Sequence, residues 1–151
     1  MPHESITVTV TVWCRWIDPE TGLHHPMRRE LKSCTFRNRS IFTTMQTGNV
    51  LKESSIIRVF DKTSEKTYIP PHEWSALKFD ELDNFWTVDL SQSAKPIIAP
   101  FVCDEEFPAG TENEVTRALN TFRTETPGVM EISDRNDNRK GLGGHIALRA
   151  G

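Results

Sequence analysis

Ile6-Thr7-Val8-Thr9-Val10-Thr11-Val12-Trp13 decides the fold class. Apolar and polar residues alternate with period two, and seven of the eight are β-branched, which is the pattern of a half-buried strand. Ile6, Val8, Val10 and Val12 are expected on the inward face. Asp18-Pro19-Glu20-Thr21-Gly22 then supplies a turn, with Pro fixing φ and Gly tolerating a positive one. A second strand is expected from Met27 to Phe36, completing a long antiparallel hairpin. Its apolar residues are few, so one face is expected to be wet or to meet another subunit.

Working outward, residues Arg37 to Glu53 are polar, broken at Gly48-Asn49, and anchored only by Ile41-Phe42 and Val50-Leu51. They read as a long loop or mobile hairpin, and long loops in compact domains are usually functional or disordered. Ser55 to Phe60 reads as a strand, and Thr67-Tyr68-Ile69 as a short strand pairing back onto it. Pro70-Pro71 ends that strand, since neither residue can donate to a ladder. One helical turn around Trp74 and Leu77, a short aromatic strand from Phe85 to Asp89, and an interrupted strand from Pro96 to Cys103 follow. Two prolines confine the last to an edge or a bulge. Thr111 is an N-cap with Glu114 three residues later, and Val115, Leu119 and Phe122 recur at helical spacing, so a helix is predicted there. Val129 to Ser133 and His145 to Arg149 complete the strands, with a turn from Asp134 to Gly144. Seven or eight strands, one helix and no β-α-β alternation predict a small antiparallel β-barrel or sandwich.

The 151 residues fit a single domain and suffice to bury a core without staples. A net charge of −3 argues against a dedicated duplex-DNA binder, which normally carries a basic excess. Cys14, Cys34 and Cys103 are odd in number and widely spaced, so they read as free thiols rather than a disulfide framework. There is no apolar run of bilayer length and no signal-peptide pattern at the start, which predicts a soluble chain that stays in the cytoplasm where it is made.

The residues offer little for chemistry. Of His24, His25, His72 and His145, only the first two are close in sequence, and neighbours on a strand point to opposite faces. Asp134-x-Asn136-x-Asn138 fails as a calcium loop, because the sixth position is Arg139 and the twelfth is His145. Neither a nucleophile elbow nor a phosphate-binding loop is present. Asp104-Glu105-Glu106 reads as a solvated corner, and the aromatics Trp13, Trp16, Trp74, Phe85 and Trp86 read as core. Basic pairs at Arg28-Arg29, Arg37-x-Arg39 and Arg135, Arg139, Lys140 are ordinary surface or contacts for phosphates or an acidic subunit face. No catalytic residue, cofactor or metal is expected. The chain reads as one that works through its surface, not as an enzyme.

Several features in order carry a resemblance: the Ile-Thr-Val strand, the Asp-x-x-Thr-Gly turn, a basic second strand and Ile57-Arg58-Val59. Tyr68-Ile69-Pro70-Pro71 before Trp74, Phe85-Trp86-Thr87, and Asp137-Asn138-Arg139-Lys140-Gly141 followed by His145 complete it. Together they resemble small structural proteins of tailed phages of Gram-positive bacteria, minor capsid or head-tail connection (neck) proteins. The resemblance implies a virion protein at the head-tail interface that forms a ring, expected to hold six copies. Its implied partners are the portal or adaptor protein on the head side, the tail terminator or tail tube on the other, and packaged DNA passing through without sequence recognition. No membrane partner is implied. Two roles compete: a head-closure (stopper) protein, a small β-barrel with a long loop reaching into the DNA channel, and a tail terminator, a sheet flanked by helices. Many strands, one helix and one long loop favour the stopper. Arg37, Asn38, Arg39, Thr43, Thr44, Gln46 and Asn49 are then the candidate channel-loop and interface residues. A cellular all-β module that binds a peptide or sugar is the alternative of another class.

Overall fold

The alternating segment forms β1 (Ile6–Ile17), the first stave of a closed barrel. The computed structural model describes residues 6–45, 48–92, 94–140 and 143–151, with side chains outside 39–53. The other strands are β2 (His24–Met45), β3 (Gly48–Phe60), β4 (Thr67–Tyr68), β5 (Phe85–Trp86), β6 (Ile97–Ala99), β7 (Met130–Asn138) and β8 (His145–Ala150). Two helices, α1 (Pro71–Ala76) and α2 (Glu112–Glu125), and a 3-10 turn at Phe79–Glu81 complete the described elements. Six strands close an antiparallel barrel in the order β1-β2-β3-β8-β7-β6, while β4 and β5 form a separate two-stranded sheet. The fold is therefore mainly β, a barrel rather than a sandwich.

β1 and β2 pair from Ile17↔His24 to Ile6↔Phe36 around the expected turn, in which Gly22 takes φ +74°. The register slips by one residue at Lys32-Ser33, opposite Thr9, and Ser33 adopts φ 57° there. Such a bulge accommodates one extra residue and sharpens the local twist. It also returns Cys34 and Phe36 to the core side after Leu31.

Val10, Val12, Cys14 and Trp16 of β1 line the barrel interior with Leu31, Ile57, Val59, Ile98, Ile132, Ile146 and Leu148. Ile6 is 55% exposed and Val8 only half-buried, because β1 starts at the barrel mouth where few neighbours surround it. The opposite face of β1 is not wet in its middle. Trp13 packs under α2 in a second core with Ile97, Ala99, Val115, Leu119 and Val129. Thr11 is fully buried, donating to the Phe101 carbonyl (2.9 Å) and accepting from the Cys103 N–H (3.0 Å). Thr's hydroxyl thus lets a polar alternation be buried on both sides.

The capping box predicts α2 correctly. Thr111 accepts from the Glu114 N–H at 3.3 Å, and the Glu114 carboxylate accepts from the Thr111 N–H at 3.0 Å. Val115 and Leu119 are buried, and Phe122 packs half-buried against the same cluster.

Three expectations need correction. Thr67-Tyr68 does not pair back onto Ser55–Phe60; it pairs in parallel with Phe85-Trp86. Ile97–Ala99 is no edge strand: it pairs with β1 on one side and β7 on the other, and so closes the barrel. Its flanking Pro96 and Pro100 fall just outside the ladder, where a missing donor costs nothing. Finally, β7 runs on to Asn138, so much of the expected 134–144 turn is strand paired with β8. Period-two patterning is weak there because the strand projects polar residues on both faces.

Candidate functional site

β2 and β3 outrun the barrel. β1 leaves β2 at Ile6↔Phe36, and β8 leaves β3 at Ser55↔Ala150. From Arg39↔Ser54 to Met45↔Gly48, seven residue pairs, the two strands pair only with each other among the described residues. At about 3.4 Å per residue this two-stranded arm extends roughly 24 Å. Its root is fixed to the barrel: Ser55 is buried and donates its hydroxyl to the Asn38 side-chain oxygen at 3.2 Å. The Arg37 Nε is buried there with no hydrogen-bond partner among the described residues.

Of the candidate residues read from sequence, Arg37 and Asn38 lie at this root, opposite Ile56 and Ser55. Arg39, Thr43, Thr44 and Asn49 occupy ladder positions along the arm, opposite Ser54, Val50, Gly48's neighbour Asn49 and Thr44 respectively. Gln46 lies outside the described residues. The segment thus takes the hairpin form rather than that of an irregular loop, and its ladder brings the candidates together on one ribbon.

The basic clusters divide differently from expectation. Arg29 is buried and Arg135 and Arg139 half-buried, and all three bond a segment that caps the barrel at the Trp16 end of β1, away from Ile6. That cap runs from Tyr68 to Val88 and inserts Tyr68, Trp74, Leu82, Trp86 and Val88 into the main core. Arg29, on the inward face of β2, donates to the carbonyls of Phe85 (2.9 Å) and Leu82 (3.0 Å). Arg135 donates to the Val88 carbonyl (2.7 Å), and Arg139 to that of Tyr68 (2.8 Å). Short irregular segments leave carbonyls without ladder partners, and a guanidinium can satisfy two at once. Arg139 is held in turn by Asp137, whose oxygens accept from Nε and Nη2, both at 2.9 Å. This pairing keeps the Asp137 carboxyl below its ordinary range and raises Arg139 above its own. Arg139 also lies 5.1 Å from the Tyr68 ring centre, within cation–π range. The Asp137-Asn138-Arg139 motif is therefore a fastener between the cap and the β7–β8 hairpin. Arg28 bonds the Cys103 carbonyl and pairs with Glu30 at 2.6 Å.

The four tryptophans are core, as expected. Trp13, Trp16 and Trp74 each donate their indole N–H to a backbone carbonyl, of Glu105, Leu77 and Arg15. Cys14 and Cys34 are buried free thiols, pushed up to about 11 and about 12 by desolvation. Such thiols are poor nucleophiles and poor ligands at neutral pH. His24 is buried beside Arg15, Nδ1 to Nη1 3.4 Å, and Arg15 also donates to Thr116 of α2 at 3.1 Å. Burial and the Arg15 charge lower the His24 pKa, with Glu112 opposing. Among the described residues, no three His, Cys, Asp or Glu side chains gather as metal ligands. No described helix is long and apolar enough to cross a membrane.

Sequence reasoning missed one surface. Along α2, Phe107, Ala118 and Phe122 floor an open groove rimmed by Glu105, Glu114 and Glu125. Phe122 and Phe107 meet edge to face at 5.3 Å, and both meet Trp13 edge to face as well. The apolar spacing of α2 pointed to its core face but not to what flanked it.

A family model matches residues 6–151, from the first residue of β1 to the end of the chain. The chain belongs to a family of unknown function, DUF6751. The DUF6751 match takes in barrel, arm, cap and α2 together. No curated protein and no solved structure matches the chain.

Proposed function

We propose that this DUF6751 protein is a structural component of the tailed-phage neck, a head-closure (stopper) ring between portal or adaptor and tail. The observation that carries the reading is the arm: a closed barrel from which one two-stranded ribbon projects roughly 24 Å past its own last barrel contacts. A two-stranded hairpin is marginal in water by itself, so an arm of this kind calls for partners outside its own subunit. In a ring, copies of the arm converge on a shared space, and Thr43, Thr44 and Asn49 toward its far end offer polar contacts to one another or to DNA phosphates. Each contact is weak, but a closed ring repeats it in every copy. The faintly acidic charge suits a channel through which DNA slides, because many phosphate contacts would hold it back. The tail-terminator alternative calls for a sheet flanked by helices; α2 is the one helix longer than two turns among the described residues, which favours the stopper.

The test is deletion of Thr43 to Asn49 in a phage that encodes the protein. The folded barrel is expected to persist, while capsids leak DNA or fail to join tails. Normal titres of infectious particles from the deletion would refute the gate.

A further inference from the structure

The charge of this chain is divided unevenly. Between residues 39 and 54 the arm carries Arg39 and Lys52 against Glu53, a net +1; the whole chain is −3, so the rest is −4. Both cations sit in the half of the arm nearer the barrel, where Ile41 pairs with Lys52 and Phe42 with Leu51 across the ladder. The α2 groove has the complementary character: an apolar floor of Phe107, Ala118 and Phe122 with Glu105, Glu114 and Glu125 on its rim, and Arg117 as its one lining cation. We infer that the barrel-proximal half of the arm of one copy docks along the α2 groove of a second copy.

The placement of the two surfaces makes the contact intermolecular. The arm extends past the Ile6 end of β1. α2 begins near the other end of that strand, where Arg15 bonds Thr116 and the His24 backbone pairs with Gly110. The groove's floor packs on Trp13, seven residues along β1 from Ile6, while the arm runs outward past Ile6, so the arm of one copy extends away from its own groove. Beyond Arg39↔Ser54 the arm's two outer edges pair with nothing among the described residues, so the arm is also where strand-like association is available. Joining two different surfaces is a heterologous contact, which repeats head to tail and closes into a ring when the rotation permits. This deepens the ring reading and rests on its self-assembly, not on its place in a virion. It leaves the tip, Thr43 to Asn49, free for the shared space.

Sedimentation equilibrium of the purified full chain, up to millimolar concentration and at low and high salt, tests the inference. Three variants are compared with wild type: Arg39→Glu with Lys52→Glu, Glu105→Lys with Glu125→Lys, and all four together. Glu114 is left intact because it caps α2, and thermal melts confirm folding of each. Salt-sensitive self-association is expected, weakened at least about tenfold by either double variant and largely restored in the quadruple one. A wild type that stays monomeric throughout, double variants that associate as wild type does, or a quadruple variant that stays as weak as the doubles would each overturn the docking. A virion role fails separately, by normal titres from the tip deletion, and that result leaves the association data standing.

Discussion

Arg29→Met tests how the cap is held. Arg29 is 8% exposed and its partners are backbone carbonyls, not carboxylates. In the parallel β4–β5 pair, the Asn84 and Trp86 carbonyls accept from Thr67 and Ile69 across the ladder. The Phe85 carbonyl between them points to the other edge, and Arg29 Nε reaches it at 2.9 Å while Nη2 reaches Leu82 at 3.0 Å. Bonds from a charged donor contribute about 1.5–3 kcal/mol each, so losing the two that cross to the cap removes roughly 3–6 kcal/mol. Methionine keeps the apolar stem and relieves the burial of a cation, which offsets part of that. The expected net loss is about 3 kcal/mol, or roughly 6–12 °C in melting temperature for a chain of this size. Denaturant unfolding followed by tryptophan fluorescence measures the first quantity. Hydrogen exchange locates it: the amides of Thr67, Ile69 and Phe85 should lose protection well before those of β1. Stability within about 0.5 kcal/mol of wild type, with exchange at those amides unchanged, would refute the idea that the guanidinium fastens the cap.

Three further outcomes are expected. Leu119→Ala should cost about 2–5 kcal/mol by opening a cavity between α2 and the β1–β6 seam, seen in the same unfolding assay. The lowered pKa of His24 means that the native state resists a proton which the unfolded chain accepts near its ordinary 6.5; stability should therefore fall as pH drops through that value and level off below the native pKa, and His24→Gln should flatten that part of the pH–stability curve. A thiol reagent at neutral pH should modify half-buried Cys103 in the native protein and reach Cys14 and Cys34 only on unfolding.

What could be read from sequence followed where period and chemistry coincide. The Ile6–Trp13 alternation, the Asp18–Gly22 turn and the Thr111–Glu114 capping box each use local rules, and each appears where expected. The β4–β5 pairing was not legible, because strands of two residues have no period and a parallel partner 18 positions away leaves no local mark. Ile97–Ala99 misled for another reason: prolines argue against a central strand only if they stand within the ladder, and here they bracket it. The arginines looked like surface because their charge was legible and the carbonyls they serve were not. The candidate arm was recognised by its length and lack of pattern. Its ladder was not, since mixed polar pairs such as Ser40↔Glu53 follow from the hairpin register rather than from a buried face.

The three-residue β6 also governs how the chain reaches its fold. The β1–β2, β2–β3 and β7–β8 hairpins join near neighbours in sequence and can form early. Closure must bring Ile97–Ala99 to Thr11–Trp13, across more than 80 intervening residues, through only three pairs on one side and two on the other. That step spans about as much chain as the β3–β8 pairing, which joins Phe60 to His145, but gains three pairs where β3–β8 gains six. α2 lies over the same seam, with Val115 and Leu119 in one cluster with Trp13, Ile97 and Ala99, so docking the helix covers the seam that β6 seals. Before it, the chain is an open sheet with two raw edges. An unsealed copy offers the same seam to a neighbour's β6, so slower sealing gives domain swapping more time.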